Sequence, residues 1–369
     1  MFNKLFIFFI LFAGIAFAQK NEQTKSKEKT APKAKEKRQR TPDSLCYSKY
    51  NSSIIVGYYG STKGYNMELG HFLSKDTGVL RKSKLNYIAE SNWVDGIELS
   101  YDKISLSFGY KSTPPKDKNK KGETKFLNFG FNIGGNKWIV EGSYRKYQGF
   151  YEKNTFNYDT NFRNTGVYFN QPSMRSTLHK LKFMYFSNNK RFAFKSCYSS
   201  SYRQIKTAFT WIITANAYYN TLKSDSSIIP MPVRGGYGDQ GGLKGLNVFG
   251  FSVYGGASLN LVIWKHLLIN VTAMLGPEDQ YRTYRYDSLR TRDLNYINFS
   301  SDVRGAIGLN YRKFYTFVSA TGDITPYKSG QMELKSTYYS VNFTMGFRVH
   351  TGYPKFYQKL QRTKLYQML

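Results

Sequence analysis

The chain has 369 residues, with 54 Lys or Arg against 24 Asp or Glu, a formal charge of +30 and 17% aromatic residues, among them 32 Tyr and 28 Phe. So many rings exceed what an ordinary soluble domain buries, whereas a membrane β-barrel sets them outward at its two lipid–water interfaces. The mean hydropathy is nonetheless below zero, and no apolar run of roughly 18 residues follows the N-terminus, which excludes helical membrane spans.

In chain order, residues 1–18 read as an export signal: Lys4 supplies the charge, Leu5 to Phe12 the apolar stretch and Ala16-Phe17-Ala18 the cleavage site. No cysteine follows that site, so a lipid anchor has no residue to use. Residues 19–45 contain no aromatic side chain and pass through Thr41-Pro42-Asp43. They read as a disordered basic periplasmic leader, either simply solvated or an arm touching peptidoglycan or the inner leaflet. Beyond residue 40, 44 basic residues face 21 acidic ones, a net +23. That surplus suits polyanionic partners such as lipopolysaccharide phosphates or an anionic solute. Nucleic acid is set aside, because an exported chain without a nucleic-acid motif gives it no support.

From residue 46 to 350 the apolar pattern has period two, the strand period. Ile97, Leu99 and Tyr101 alternate with polar neighbours, Asp102-Lys103 form a two-residue turn, and Ile104, Leu106, Phe108 and Tyr110 resume the alternation. Leu127 to Ile133, a turn over Gly134 to Lys137, and a strand carrying Trp138, Val140 and Tyr144 repeat the unit. Leu181, Phe183 and Tyr185 lead through Asn188-Asn189-Lys190 to an expected strand with Phe192 and Phe194 on one face and Arg191, Ala193 and Lys195 on the other. Phe249 to Val253, Leu267 to Leu275 after Trp264-Lys265-His266, Ile307 to Tyr311, and Phe314 to Ala320 after Arg312-Lys313 follow. The last strand sets Tyr339, Val341, Phe343, Met345, Phe347 and Val349 against Ser340, Asn342, Thr344, Gly346, Arg348 and His350.

Longer polar loops are expected at about 111–124, 150–176, 220–245, 276–297 and 322–334. Tight turns on one side and long loops on the other indicate an all-β, antiparallel up-and-down transmembrane barrel, with tight turns periplasmic and loops extracellular. The count favours twelve strands if 206–219 is left out of the wall, but Phe209, Trp211, Ile213, Ala215 and Ala217 also alternate, so either that segment extends a hairpin above the membrane or a further strand near Ile228 to Tyr237 makes fourteen. Residues 351–369 form a basic tail, read as an amphipathic helix at the periplasmic leaflet or as a partner-docking peptide. Cys46 and Cys197 enter an oxidising compartment, and their pairing is left open because spacing alone does not supply disulfide geometry.

The run from Asn189-Lys190-Arg191-Phe192 to Arg203-Gln204-Ile205-Lys206-Thr207, together with Tyr147-Gln148-Gly149-Phe150-Tyr151, resembles the DUF4421 family of Gram-negative outer-membrane barrels, over most of residues 50–350. Ala193 and Thr207 stand where the family pattern has Ser, and Phe209 where it has Gly. The resemblance implies the barrel and, the family being uncharacterised, no activity.

Charged side chains on a lipid face cost up to about 2–4 kcal/mol each at mid-membrane. Lys180, Lys182, Arg191, Lys195, Arg304 and Arg348 are therefore placed in the lumen, where they either pair with Glu141, Glu98 and Asp302 in a closed interior or line an anion-favouring passage. Arg203, Gln204 and Lys206, about ten residues beyond a periplasmic turn, are expected at the extracellular side, as a lipopolysaccharide contact or a solvated turn. No cofactor or metal-ligand spacing is visible. An enzyme would have to draw on His71, His179 or His266, and the neighbouring Ser74 and Ser176 fall on the opposite strand face. The readings carried forward are a channel for small anionic solutes, a structural or assembly subunit that binds other envelope proteins, and, third, an outer-membrane hydrolase.

Overall fold

A computed structural model describes residues 46–71, 84–114, 117–286, 291–329, 332–364 and 366. The export signal and the leader lie outside the described residues. Among the described residues fourteen strands occur: β1 Tyr47–Lys49, β2 Ser53–His71, β3 Leu85–Tyr101, β4 Ile104–Lys111, β5 Lys125–Gly134, β6 Trp138–Glu152, β7 Phe169–Phe186, β8 Tyr202–Gln204, β9 Ala208–Lys223, β10 Leu243–Ile263, β11 Leu267–Tyr286, β12 Thr291–Asn310, β13 Phe314–Ser329 and β14 Met332–His350. Twelve of them close an antiparallel barrel, while β1 and β8 form a separate two-stranded sheet. Closure is made by β14 against β2, in unbroken register from Met332↔His71 to His350↔Ser53.

The wall obeys the alternation. Ile97 and Leu99 on β3, Trp211 and Ile213 on β9 and the run Tyr339 to Val349 on β14 face outward and are exposed, while Ser100, Thr210, Thr214, Ser340 and Arg348 face inward and are buried. Outward rings and aliphatic groups are stable only against lipid. The lower, tight-turn end carries the connections at Asp102-Lys103, 135–137, 264–266 and 311–313. Asp102, Trp264 and Lys265 adopt positive φ there, as short hairpin turns require.

Twelve strands were expected, but their membership differs. Residues 208–223 form the full wall strand β9, paired with β7 and β10. Residues 191–195 are not a wall strand. After Asn188 the chain turns into the barrel, makes a helical turn at Lys195–Tyr198 and returns as β8. The expected loops at 276–297 and 322–334 are mostly strand, since β11–β12 and β13–β14 continue as tall hairpins. At about 3.3 Å per residue, β11 spans roughly 65 Å, far more than the hydrocarbon layer demands.

One side of the wall is built differently. β3 pairs with the short β4 only from Tyr101 to Val94, and higher up Tyr87 and Ile88 pair with Glu152 and Tyr151 of β6. The β4–β5 hairpin is thus a low insert. β6 reaches over it through a bulge between Gln148 and Phe150, where Gly149 has φ +87°, and a Cβ there would lie 2.1 Å from the Glu123 carbonyl oxygen. The Tyr147–Tyr151 motif therefore encodes a bend that only glycine permits.

Candidate functional site: a sealed, charged lumen

The lumen is closed twice, each time by a connecting segment rather than by the wall. From below it is filled by residues 187–207. Phe192 and Phe194 pack on Phe186 within an apolar cluster that includes Ile139, Ile212 and Met274. Polar contacts then fix the plug. Lys195 donates from Nζ to the carbonyl oxygens of Gly134 at 2.7 Å and Lys103 at 2.9 Å. Arg348 donates to the carbonyls of Ser200 and Tyr311 and to Asn310 Oδ1, at 2.8, 2.5 and 2.7 Å. Gln204 accepts from the Ala193 amide and the Asn260 side chain and donates to the Arg191, Lys206 and Cys46 carbonyls. Ser200, at φ +54°, lets the plug reverse. β8 is completed by β1, with Tyr47 opposite Gln204.

From above, residues 224–242 fold inward. Ile228, Ile229 and Tyr237 join a buried cluster with Met67, Leu69, Leu85, Tyr87, Tyr147 and Leu222. Tyr87 Oη donates to the Ile228 carbonyl, and Tyr237 Oη to that of Leu69 at 3.3 Å. The upper barrel thus has an apolar core like that of a soluble protein, because its strands rise above the lipid and must seal against water on the inside.

Between plug and cap lies a cavity of about 280 Å³, bordered by Tyr59, Lys63, Glu98, Arg145, Tyr198, Asp323 and a band of Ser, Thr and Asn side chains. An ion network crosses it. Arg304 makes a two-pronged contact with Glu141, at 2.9 and 3.1 Å, and a further one with Asp302 at 3.1 Å; Lys182 also pairs with Asp302. Lys180 and Arg145 share Asp323, at 3.4 and 3.3 Å. Paired in this way, the charges recover part of the cost of leaving water. Lys63, 6% exposed, differs: its ammonium lies over the rings of Tyr59 (5.2 Å) and Phe126 (5.4 Å) without an ion pair among the described residues. The Tyr59 hydroxyl, Ser105 Oγ and Asn132 Oδ1 on the same cavity also have no hydrogen-bond partner among the described residues.

Of the expected lumen cations, Lys180, Lys182 and Arg304 meet in this network, while Lys195 and Arg348 are inside but spent on plug carbonyls. Arg191 is a correction: it is exposed at the mouth of the plug, because the strand expected to carry it does not form. Arg203, Gln204 and Lys206 are a second correction. They lie at the tight-turn end, where Arg203 reaches the Lys265 carbonyl and His266 Nδ1 at 3.2 and 3.1 Å. The chain from Arg191 turns back within the lumen instead of crossing, so a lipopolysaccharide contact at the far end has no basis in this geometry. Cys46 and Cys197 are free thiols. His179 packs at a tilt against Tyr144, 4.9 Å between ring centres, on the outer wall and Ser176 points inward to Asn220, as their spacing predicts; the side chain of His71 and all of Ser74 lie outside the described residues. No group of metal-ligating residues occurs among the described residues.

Sequence reading missed Lys63, Arg145 and Asp323. Arg145 shares the parity of Glu141 on β6 and could have been found; Asp323 was lost because its strand was ended at Ala320.

Residues 41–349 match the family described as a domain of unknown function (DUF4421). The chain belongs to that family. Among solved structures it is similar to the outer membrane protease OmpT from Escherichia coli, at 11% identity and TM-score 0.36, covering 82% of this chain and 98% of that one. It is also similar to the Pseudomonas putida toluene transporter TodX, at 5% identity and TM-score 0.26, covering 82% and 91%, and to LpxR from Salmonella typhimurium, at 9% and 0.31, covering 78% and 99%. No curated protein matches in sequence. This DUF4421 protein is a closed twelve-stranded β-barrel with an apolar outer wall, and likenesses so remote carry nothing about its task.

Proposed function

We propose that this protein is a gated outer-membrane passage for small anionic solutes, in its closed state here. The observation that carries the reading is a surplus of cations in a sealed chamber. Lys63, Arg145, Lys180, Lys182 and Arg304 stand at the chamber against Glu98, Glu141, Asp302 and Asp323, and Lys63 is the one of these five cations without an ion pair among the described residues. A charge excess isolated from water is costly unless an anion enters. Both closures are loops, and loops can withdraw without breaking the wall.

Planar-bilayer recording tests this. The parent should be nearly silent, and the pair Gln204→Ala with Arg348→Met, which frees the plug, combined with Tyr87→Phe and Tyr237→Phe, which remove the hydrogen bonds of the cap, should give steps whose reversal potential in a salt gradient reports anion preference. Replacing Lys180 and Lys182 by Gln in that background should weaken the preference. A freed plug and cap that still give no conductance, or a cation-selective one, overturn the proposal. Silence of that variant would favour the second reading, a structural barrel, which draws on the extensive internal pairing of the network charges.

A further inference from the structure

The connecting segments at the two ends of the barrel differ in charge. At the tight-turn end, residues 46–52, 102–103, 135–137, 187–207, 264–266, 311–313 and 351–366 contain fifteen Lys or Arg and one acidic residue. That residue, Asp102, is 3% exposed and bound by Tyr357. At the other end, the described connecting residues 84, 112–114, 117–124, 153–168 and 224–242 hold seven basic and five acidic residues. The asymmetry is therefore a property of one face.

Seven of the cations of that face are exposed and spread out across it. Lys137, Lys265, Arg312 and Lys313 stand on the wall turns around the rim, and Lys190, Arg191 and Lys206 on the open side of the plug, across the centre. None of these seven side chains makes an ion pair among the described residues. Lipid headgroups reach the rim, but the plug cations sit in the aqueous mouth. A folded protein partner would want a desolvated apolar anchor cluster. Here Trp264, 84% exposed, is alone among the described residues of these segments in being a large apolar side chain more than half exposed. Many dispersed cations without a pocket suit an extended polyanion held by many weak contacts.

We propose that the tight-turn face, which in outer-membrane barrels looks into the periplasm, docks a carboxylate-bearing cell-wall polymer. The contact is electrostatic and multivalent, with the plug cations as its centre. The surface is independent of the chamber and does not rest on the passage reading.

The test is co-sedimentation of the detergent-purified full chain with insoluble peptidoglycan sacculi. At about 50 mM salt the parent should pellet with the sacculi, and retention should fall at least about fivefold at about 300 mM as the charges are screened. The sixfold variant Lys190→Gln, Arg191→Gln, Lys206→Gln, Lys265→Gln, Arg312→Gln, Lys313→Gln should lose about tenfold, with heat-modifiable electrophoretic mobility confirming that it is folded. The triple plug variant Lys190→Gln, Arg191→Gln, Lys206→Gln separates wall from lipid. It should lose sacculus binding while adsorption to phosphatidylglycerol vesicles stays unchanged. A parent that stays in the supernatant, a sixfold variant that pellets like the parent, or a parent that binds the vesicles and ignores the sacculi overturns the proposal.

Discussion

Lys182 on β7 and Asp302 on β12 form a buried ion pair across the lumen, although three wall strands separate β7 from β12 on the shorter way around the barrel. The pair braces opposite walls. Asp302 also receives Arg304, so Asp302→Asn leaves Lys182 buried against a neutral acceptor while Arg304 keeps Glu141. Unfolding in urea should show a loss of about 3–5 kcal/mol, the cost of orphaning a buried charge. The double change Lys182→Met with Asp302→Leu should lose less than the single one. Equal losses would mean that the bracing is steric.

Tyr59 lies flat over Gly96, where a Cβ would come within 2.1 Å of its ring. Gly96→Val should therefore force the ring into the chamber and cost about 1–3 kcal/mol by overpacking. Tyr59→Ala in that background should restore part of the stability, whereas Tyr59→Phe alone should be nearly neutral because the hydroxyl has no partner. Thermal melts of the four proteins form the cycle, and strict additivity would deny the contact.

The helix Lys355–Gln361 docks through Tyr357 and Gln361, which donate to Asp102 Oδ2 at 3.2 and 3.5 Å. Burial raises the Asp102 carboxyl above the ordinary range, and the opposing pulls of those two hydrogen bonds and of Lys103 and Lys195 are smaller. The docked state thus holds the proton more tightly than the undocked one, so docking should strengthen as pH falls through the Asp102 pKa and weaken above it. Hydrogen exchange over 355–361, corrected for the intrinsic rate, should show protection rising from pH 7 to pH 5. Asp102→Asn, which keeps the acceptor and tolerates φ +50°, should flatten that dependence. A parent curve as flat as the variant's would refute the linkage.

The two thiols should be told apart by labelling. Cys46 is half-buried, while Cys197 is buried, with its Sγ directed at Asn260 Oδ1 at 3.9 Å. A maleimide should modify Cys46 in the folded protein and Cys197 only after the plug is released, for instance in Gln204→Ala with Arg348→Met. Modification of Cys197 in the parent at the rate of Cys46 would show that the plug already opens.

The wall was legible because a lipid-facing strand has no choice of pattern: one residue in two must be apolar, as on β14. The lumen cations followed, since a Lys that alternates with Leu181 and Phe183 has nowhere else to go. The plug was not legible. Phe192 and Phe194 alternate with Arg191 and Lys195 as in a strand, and over so short a run period two does not separate lipid contact from packing inside a lumen. The Ser199-Ser200-Ser201 stretch was the available warning, being too polar for a lipid face. The cap escaped for a related reason, as its apolar residues Ile228 and Ile229 lie in a Pro- and Gly-rich loop with no period.

The β1–β8 sheet has a consequence for the order of assembly. Tyr47 comes before the first wall strand, yet its hydroxyl is bonded to the Asn189 carbonyl, 142 residues later in the chain. No local search finds such a partner, so the closing entropy of a very long loop must be met before the sheet forms. The first described residues of the chain are thus among the last to settle, and they do so by tucking beneath a plug that is already inside the barrel. A cargo fused ahead of Tyr47 would hang at the tight-turn mouth and stay tethered to the segment that closes it.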